Sequence, residues 1–114
     1  MEDDPTIYLL LPTVVIEWLG FSVKPELREK FIAKDEQIWT PVLRDADGFL
    51  SKETWLDPAS EDRIYLVIRW QTREQWKAVP MDLLEETEAK FSAAMGADTY
   101  EAIEFKEYQI RKFP

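Results

Sequence analysis

VVIEWLGFSV, residues 14–23, decides the fold of this chain. Side chains along a strand point alternately to its two faces, which sets Val15, Leu19, Phe21 and Val23 on one side and Val14, Ile16 and Trp18 on the other. Both sets are apolar. Such a strand is buried on both faces, and its one charge, Glu17, then sits where an unpaired carboxylate is costly. RIYLVIRWQ, residues 63–71, repeats the pattern, with Ile64, Leu66, Ile68 and Trp70 against Tyr65 and Val67. A polar turn from Asp57 to Asp62 joins it to the preceding FLSKETWLD, residues 49–57, which alternates Phe49, Ser51, Glu53 and Trp55 against Leu50, Lys52, Thr54 and Leu56. The two predict a hairpin.

Between the first strand and the hairpin, Pro25 introduces ELREKFIAKDEQIW, whose Leu27, Phe31, Ile38 and Val42 fall near helical spacing. Pro41 predicts a kink, or a restart after Trp39–Thr40, because its ring opposes the carbonyl four residues back. Thr72 and Gln75 have the spacing of a capping box and start a short helix that Pro80 breaks. Asp82 then caps LLEETEAKFSAAM, which Gly96 ends. YEAIEFKEYQIR, residues 100–111, alternates with more charge and reads as an edge strand. Residues 1–13, acidic at the tip and interrupted by Pro5 and Pro12, read as an extension, and residues 14–114 as a single domain.

The order βαββαβ predicts a ferredoxin-like α+β sandwich, a four-stranded antiparallel sheet with two helices on one face. Helices on one face leave the other face of two double-sided strands uncovered, and no segment remains to cover it. A second copy of the same sheet is the simplest cover, giving a homodimer whose sheets close into an α/β barrel.

LRDADGFLSKETW, residues 43–55, has the look of half a calcium loop. With Gly48 at position 6 of such a loop, Asp45 and Asp47 fall at 3 and 5, but Leu43 falls at 1 and Thr54 at 12, and Glu53 misses by one. The spacing fails. The stretch reads instead as a polar turn in which Gly48 takes a positive φ.

Composition narrows the chemistry. The 114 residues contain no cysteine and no histidine, so thiolate nucleophiles, imidazole ligands and histidine general bases are excluded. A formal charge of −9 argues against nucleic acid or an anionic membrane as partner. The apolar run 7–21 is broken by Pro12 and Glu17 and too short to span a bilayer, so a cytoplasmic protein is expected.

What remains for function is carboxylate and aromatic. Of the five tryptophans, Trp39 and Trp76 sit just ahead of helix breaks, and with Trp18 they either line a cleft between sheet and helices or fill a core. Glu17 is either a general base or one half of a structural ion pair with Arg69 on the neighbouring strand. Asp35 lies four residues before Trp39, on one side of the helix, where it either positions a ligand or is a surface carboxylate. Glu85, Glu86 and Glu88 form a solvated face rather than a metal site.

The βαββαβ order, the double-sided strands, GFLSKETW and the join VIRWQTREQWKAVP together resemble the antibiotic biosynthesis monooxygenase-like superfamily of dimeric α/β barrels. VVIEWLGFSVKPELREKF, DEQIWTPVL and RWQTREQWKAVP are similar to a family of small proteins found mainly in cyanobacteria. The resemblance covers about residues 14–111 and implies the fold more than an activity. It implies a cofactor-independent oxygenase or isomerase of small aromatic or hydrophobic compounds, with Glu17 and Asp35 as catalytic candidates and Trp18, Trp39, Trp76 and Arg69 as ligand-binding candidates. The alternative is a binding or regulatory module without catalysis. Haem degradation in that superfamily relies on histidine and asparagine, and this chain has neither. No cofactor and no metal are expected.

Overall fold

The computed structural model describes residues 13–112. The elements are β1 (Val15–Val23), a 3-10 turn (Pro25–Leu27), α1 (Arg28–Arg44), β2 (Phe49–Leu56), β3 (Arg63–Trp70), α2 (Arg73–Lys77), α3 (Met81–Met95) and β4 (Tyr100–Gln109). The expected extension, residues 1–13, lies outside the described residues except for Thr13.

All four strands form one antiparallel sheet in the order β2-β3-β1-β4, with the two apolar strands at its centre and the charged β4 at an edge. Helices cover one face. Val15, Leu19, Phe21 and Val23 point toward them, as do Ile64, Leu66, Ile68 and Trp70, which are almost wholly buried. The core forms two clusters along this face. At one end Phe31 of α1 and Phe91 of α3 meet edge to face, 5.0 Å between ring centroids, over Val23, Ile64 and Leu66. At the other, Leu43, Trp76 and Val79 close over Val15, Ile68 and Trp70. Leu19 and Trp39 touch both clusters, and each buried aromatic side chain here contributes about 3 kcal/mol through the apolar surface it removes from water.

Three local expectations change. The helix α1 runs unbroken through Pro41, so the restart after Trp39–Thr40 does not occur. The carbonyl that Pro41 leaves without a donor belongs to Gln37, and both residues are exposed, so the carbonyl lies where water can reach it. The helix α3 starts at Met81, with Pro80 rather than Asp82 at its N-cap; Asp82 lies in the first turn, where its carboxylate accepts from Leu83 N–H. The pairing of β2 shifts between Phe49 and Ser51, so Phe49 and Lys52 both face the helices while Ser51, Glu53 and Trp55 face away.

Other signals translate directly. Thr72 caps α2 by accepting from Gln75 N–H at 3.1 Å and donating to the Gln75 side chain. Gly48 has φ +86°, and its carbonyl accepts from Gln71 N–H at 2.7 Å, tying the β2 turn to the start of α2. A Cβ at position 48 would collide with the Gln75 side chain. Replacing Gly48 by Ala therefore combines a left-handed backbone, about 1–2 kcal/mol, with that collision. A melting curve of Gly48→Ala should show the midpoint lowered by at least about 5 °C; an unchanged midpoint would mean that the turn relaxes freely.

Candidate functional site

A cavity of about 1160 Å3 opens between the sheet and the helices. Along it α3 packs against α1, and at one end Phe91 of α3 meets Tyr100 of β4. Its walls are mainly apolar and aromatic: Phe31, Trp39, Leu43, Trp70, Trp76 and Val79. Two carboxylates interrupt that surface, one half-buried and one buried.

The first is Glu17. It stands opposite Ile68 in the β1–β3 ladder, while Trp70 stands opposite Val15, so Glu17 and Trp70 are diagonal neighbours on the helix-facing side. Trp70 Nε1–H donates to Glu17 Oε1 at 3.0 Å. Burial pushes the Glu17 carboxyl above its ordinary value of 4.5. The Trp70 bond, the charges of Lys77 and Lys52 and a smaller contribution from Trp76 pull it partly back.

The second is Asp35 on α1, one turn before Trp39. Lys52 reaches it from β2, with Nζ 2.7 Å from Asp35 Oδ2, and only 5% and 4% of the two side chains remain exposed. Lys52 also donates to Thr40 Oγ1 at 2.8 Å, and Thr40 passes a 3.0 Å hydrogen bond to Glu36. Burial raises the Asp35 carboxyl, against the lowering effect of the adjacent Lys52 charge. Removing one partner of such a pair costs about 3–5 kcal/mol, because the other charge is left buried and unpaired.

At the far end of the cavity, between α3 and β4, Tyr100 donates a short hydrogen bond to Glu88. Burial and that carboxylate push its phenol up to about 12, so it stays a donor at neutral pH.

The structure thus brings Glu17, Asp35, Trp39 and Trp76 to one cavity. Trp18 borders the cavity, but its indole lies on the other face of the sheet, against Trp55, Tyr65 and Tyr108. Arg69 is corrected. It stands opposite Ile16 in the ladder, on the face away from Glu17, and pairs with Glu53 at 3.3 Å. The Glu17–Arg69 ion pair therefore does not form, since cross-strand contact requires the same face. Lys52 and Trp70 were not among the residues the sequence singled out. Lys52 had a weak signal in its alternation with Thr54 and Leu56, but only the register shift in β2 places it under α1.

A four-stranded antiparallel sheet with helices on one face and a cavity between them defines the ferredoxin-like α+β class. Residues 15–79, more than half of the chain, match the antibiotic biosynthesis monooxygenase family, and the protein belongs to that family. No curated protein matches it. Among solved structures it is similar to a conserved protein from Methanosarcina mazei, with 15% identity, TM-score 0.68, and 91% of this chain and 99% of that one covered. SnoaB, a cofactor-independent oxygenase from Streptomyces nogalater, is similar at 12% identity and TM-score 0.63, over 89% of this chain and 96% of SnoaB. A conserved protein from Bacteroides thetaiotaomicron follows at 14% and 0.64, over 86% and 98%. At these identities the likeness is one of fold. Among the described residues no helix is long and apolar enough to cross a membrane, and no cluster of acidic side chains could hold a metal ion.

The raised carboxyl of Glu17 makes a prediction about stability. Below about pH 4.5 the group is protonated in both folded and unfolded chains. As pH rises above that value the unfolded chain ionises first, so folding loses stability until the folded carboxyl has also ionised. Urea midpoints measured from pH 4 to 8 should show Glu17→Gln gaining on the native protein as pH rises, and parallel profiles would contradict the assignment.

Proposed function

We propose that the protein is a cofactor-independent oxygenase or isomerase of a small aromatic or hydrophobic compound, with Glu17 as its base. The observation that carries this reading is a carboxylate with raised proton affinity, held by a tryptophan N–H in the wall of an aromatic cavity. A base is most effective when its pKa approaches the working pH, and burial moves Glu17 in that direction. SnoaB, which shares the fold, is a cofactor-independent oxygenase, and that supports the same chemistry here.

The chain's own residues supply the first step. Glu17 takes a proton from an activated C–H of a substrate lying between Trp39 and Trp76, and the charge of Lys77 favours the anion that forms. In isomerisation the proton returns to another carbon. In oxygenation the carbanion gives an electron to O2, the two radicals join as a peroxide anion, and the proton held by Glu17 returns to it to give a hydroperoxide. Loss of the second hydrogen as a proton with cleavage of the O–O bond leaves a ketone and water. The balance, CH2 + O2 giving C=O + H2O, needs no external reductant. Asp35, neutralised by Lys52, positions the cavity wall and is not the base.

The same reading includes a homodimer through the open sheet face. Trp18, Trp55, Tyr65 and Tyr108 form a connected aromatic patch there, with Trp18 and Tyr65 centroids 5.1 Å apart, and no helix among the described residues covers it. Light scattering should give twice the chain mass of 13.5 kDa, and Trp55→Glu should shift the protein toward monomer. A native monomer at micromolar concentration would remove the barrel.

The activity is tested by oxygen uptake with anthrone-like and hydroquinone-like substrates, and by solvent deuterium exchange at their acidic C–H. Glu17→Gln should lower either rate by at least about a hundredfold with the assembly intact. Binding of these compounds with neither uptake nor exchange would leave the non-catalytic binding module in its place.

A further inference from the structure

We propose that the ligand of this cavity carries an anionic group, such as a carboxylate or an acidic phenolate, beside its flat apolar body, and that Lys77 at the end of α2 is the anchor for that group. This rests on the cavity being the ligand site. Four cations line the cavity: Lys52, Arg73, Lys77 and Lys106. Lys52 is committed to Asp35, Arg73 to Glu107 at 2.7 Å, and Lys106 to Glu104 at 3.2 Å. Lys77 alone of the four has no carboxylate partner among the described residues. Its ammonium instead lies 4.0 Å from the centroid of the Trp76 ring, and it is close enough to Glu17 to act on that group's charge.

Position adds to the charge count. Trp76 belongs to the cavity wall, so a planar ligand resting against that wall brings its rim to the ammonium above it. Lys77 is exposed, as a group at a mouth should be, whereas Glu17 lies deeper on β1. The opposite end of the cavity carries Glu85, Glu88 and Glu101, which repel an anion. An anionic ligand can therefore enter in one orientation only, with its charge at α2 and its apolar body toward Glu17. Such a lysine fixes direction as well as adding affinity, because like charges at the wrong end oppose the reverse pose.

The test uses three probes of one shape: 2-naphthoate, 2-naphthylmethanol and 2-naphthylmethylammonium, with dissociation constants from calorimetry of the full chain at low salt. The anion should bind about fivefold tighter than the alcohol, the upper range for one partly exposed ion pair, and the preference should fall with added salt. Lys77→Gln should abolish the preference of anion over alcohol, and Lys77→Arg should keep it. Equal binding of anion and alcohol, a preference for the ammonium, or a preference that survives Lys77→Gln overturns the proposal while leaving the cavity as the ligand site. If none of the three binds, the cavity reading fails together with it.

Discussion

The register between β1 and β3 is the constraint on which the rest depends. It sets Val15 against Trp70 and Glu17 against Ile68, and with a side-chain period of two it assigns every residue of both strands to a face. A slip of one residue in β1 would turn Glu17 outward and drive Trp18 into the helices. The same register brings the Trp70 N–H to Glu17, so the polar feature of the cavity follows directly from the strand pairing that makes the core.

Around that ladder the molecule holds an unusual amount of polar chemistry in an apolar place. Glu17 is held by one indole, and Asp35 by a lysine that crosses from sheet to helix. Among the described residues no buried side-chain polar atom lacks a hydrogen-bond partner. A core built only for stability would place aliphatic side chains at positions 17, 35 and 52, since a buried ion pair seldom stabilises more than a well-packed apolar substitute. Retained polar groups in the wall of an apolar cavity are the pattern expected of a site, where local stability is given up for function.

The cavity itself is a consequence of helix packing. The helix α3 leans on α1 through Phe91 and Phe31, while Met95 and Tyr100 close the same end of the core. That contact fixes one end of the helical layer, while Trp39 and Trp76 wall the cavity toward the other. Phe105 of β4, on the same face as Leu19, stays largely exposed because no helix descends on it.

Much of this was legible in the sequence, and the division follows range of interaction. The double-sided strands, the hairpin, the Thr72 cap, the positive φ of Gly48 and the edge character of β4 are local or periodic signals, because each depends on a residue's own backbone or its immediate neighbours. The passage of α1 through Pro41 and the start of α3 at Met81 were not, since they turn on whether water can reach a freed carbonyl and on where a helix end lies in space. Three features belong to the tertiary structure alone. Arg69 meets Glu53 instead of Glu17, because facing is settled by the partner strand; Lys52 reaches Asp35, because one shifted residue in β2 turns it inward; and a cavity remains between sheet and helices, which depends on where the helices come to lie. The sequence by itself determined which segments become strands and helices and that both faces of the sheet are apolar. Only the fold decided which charges meet, since that depends on register and helix placement across distances that no local pattern encodes.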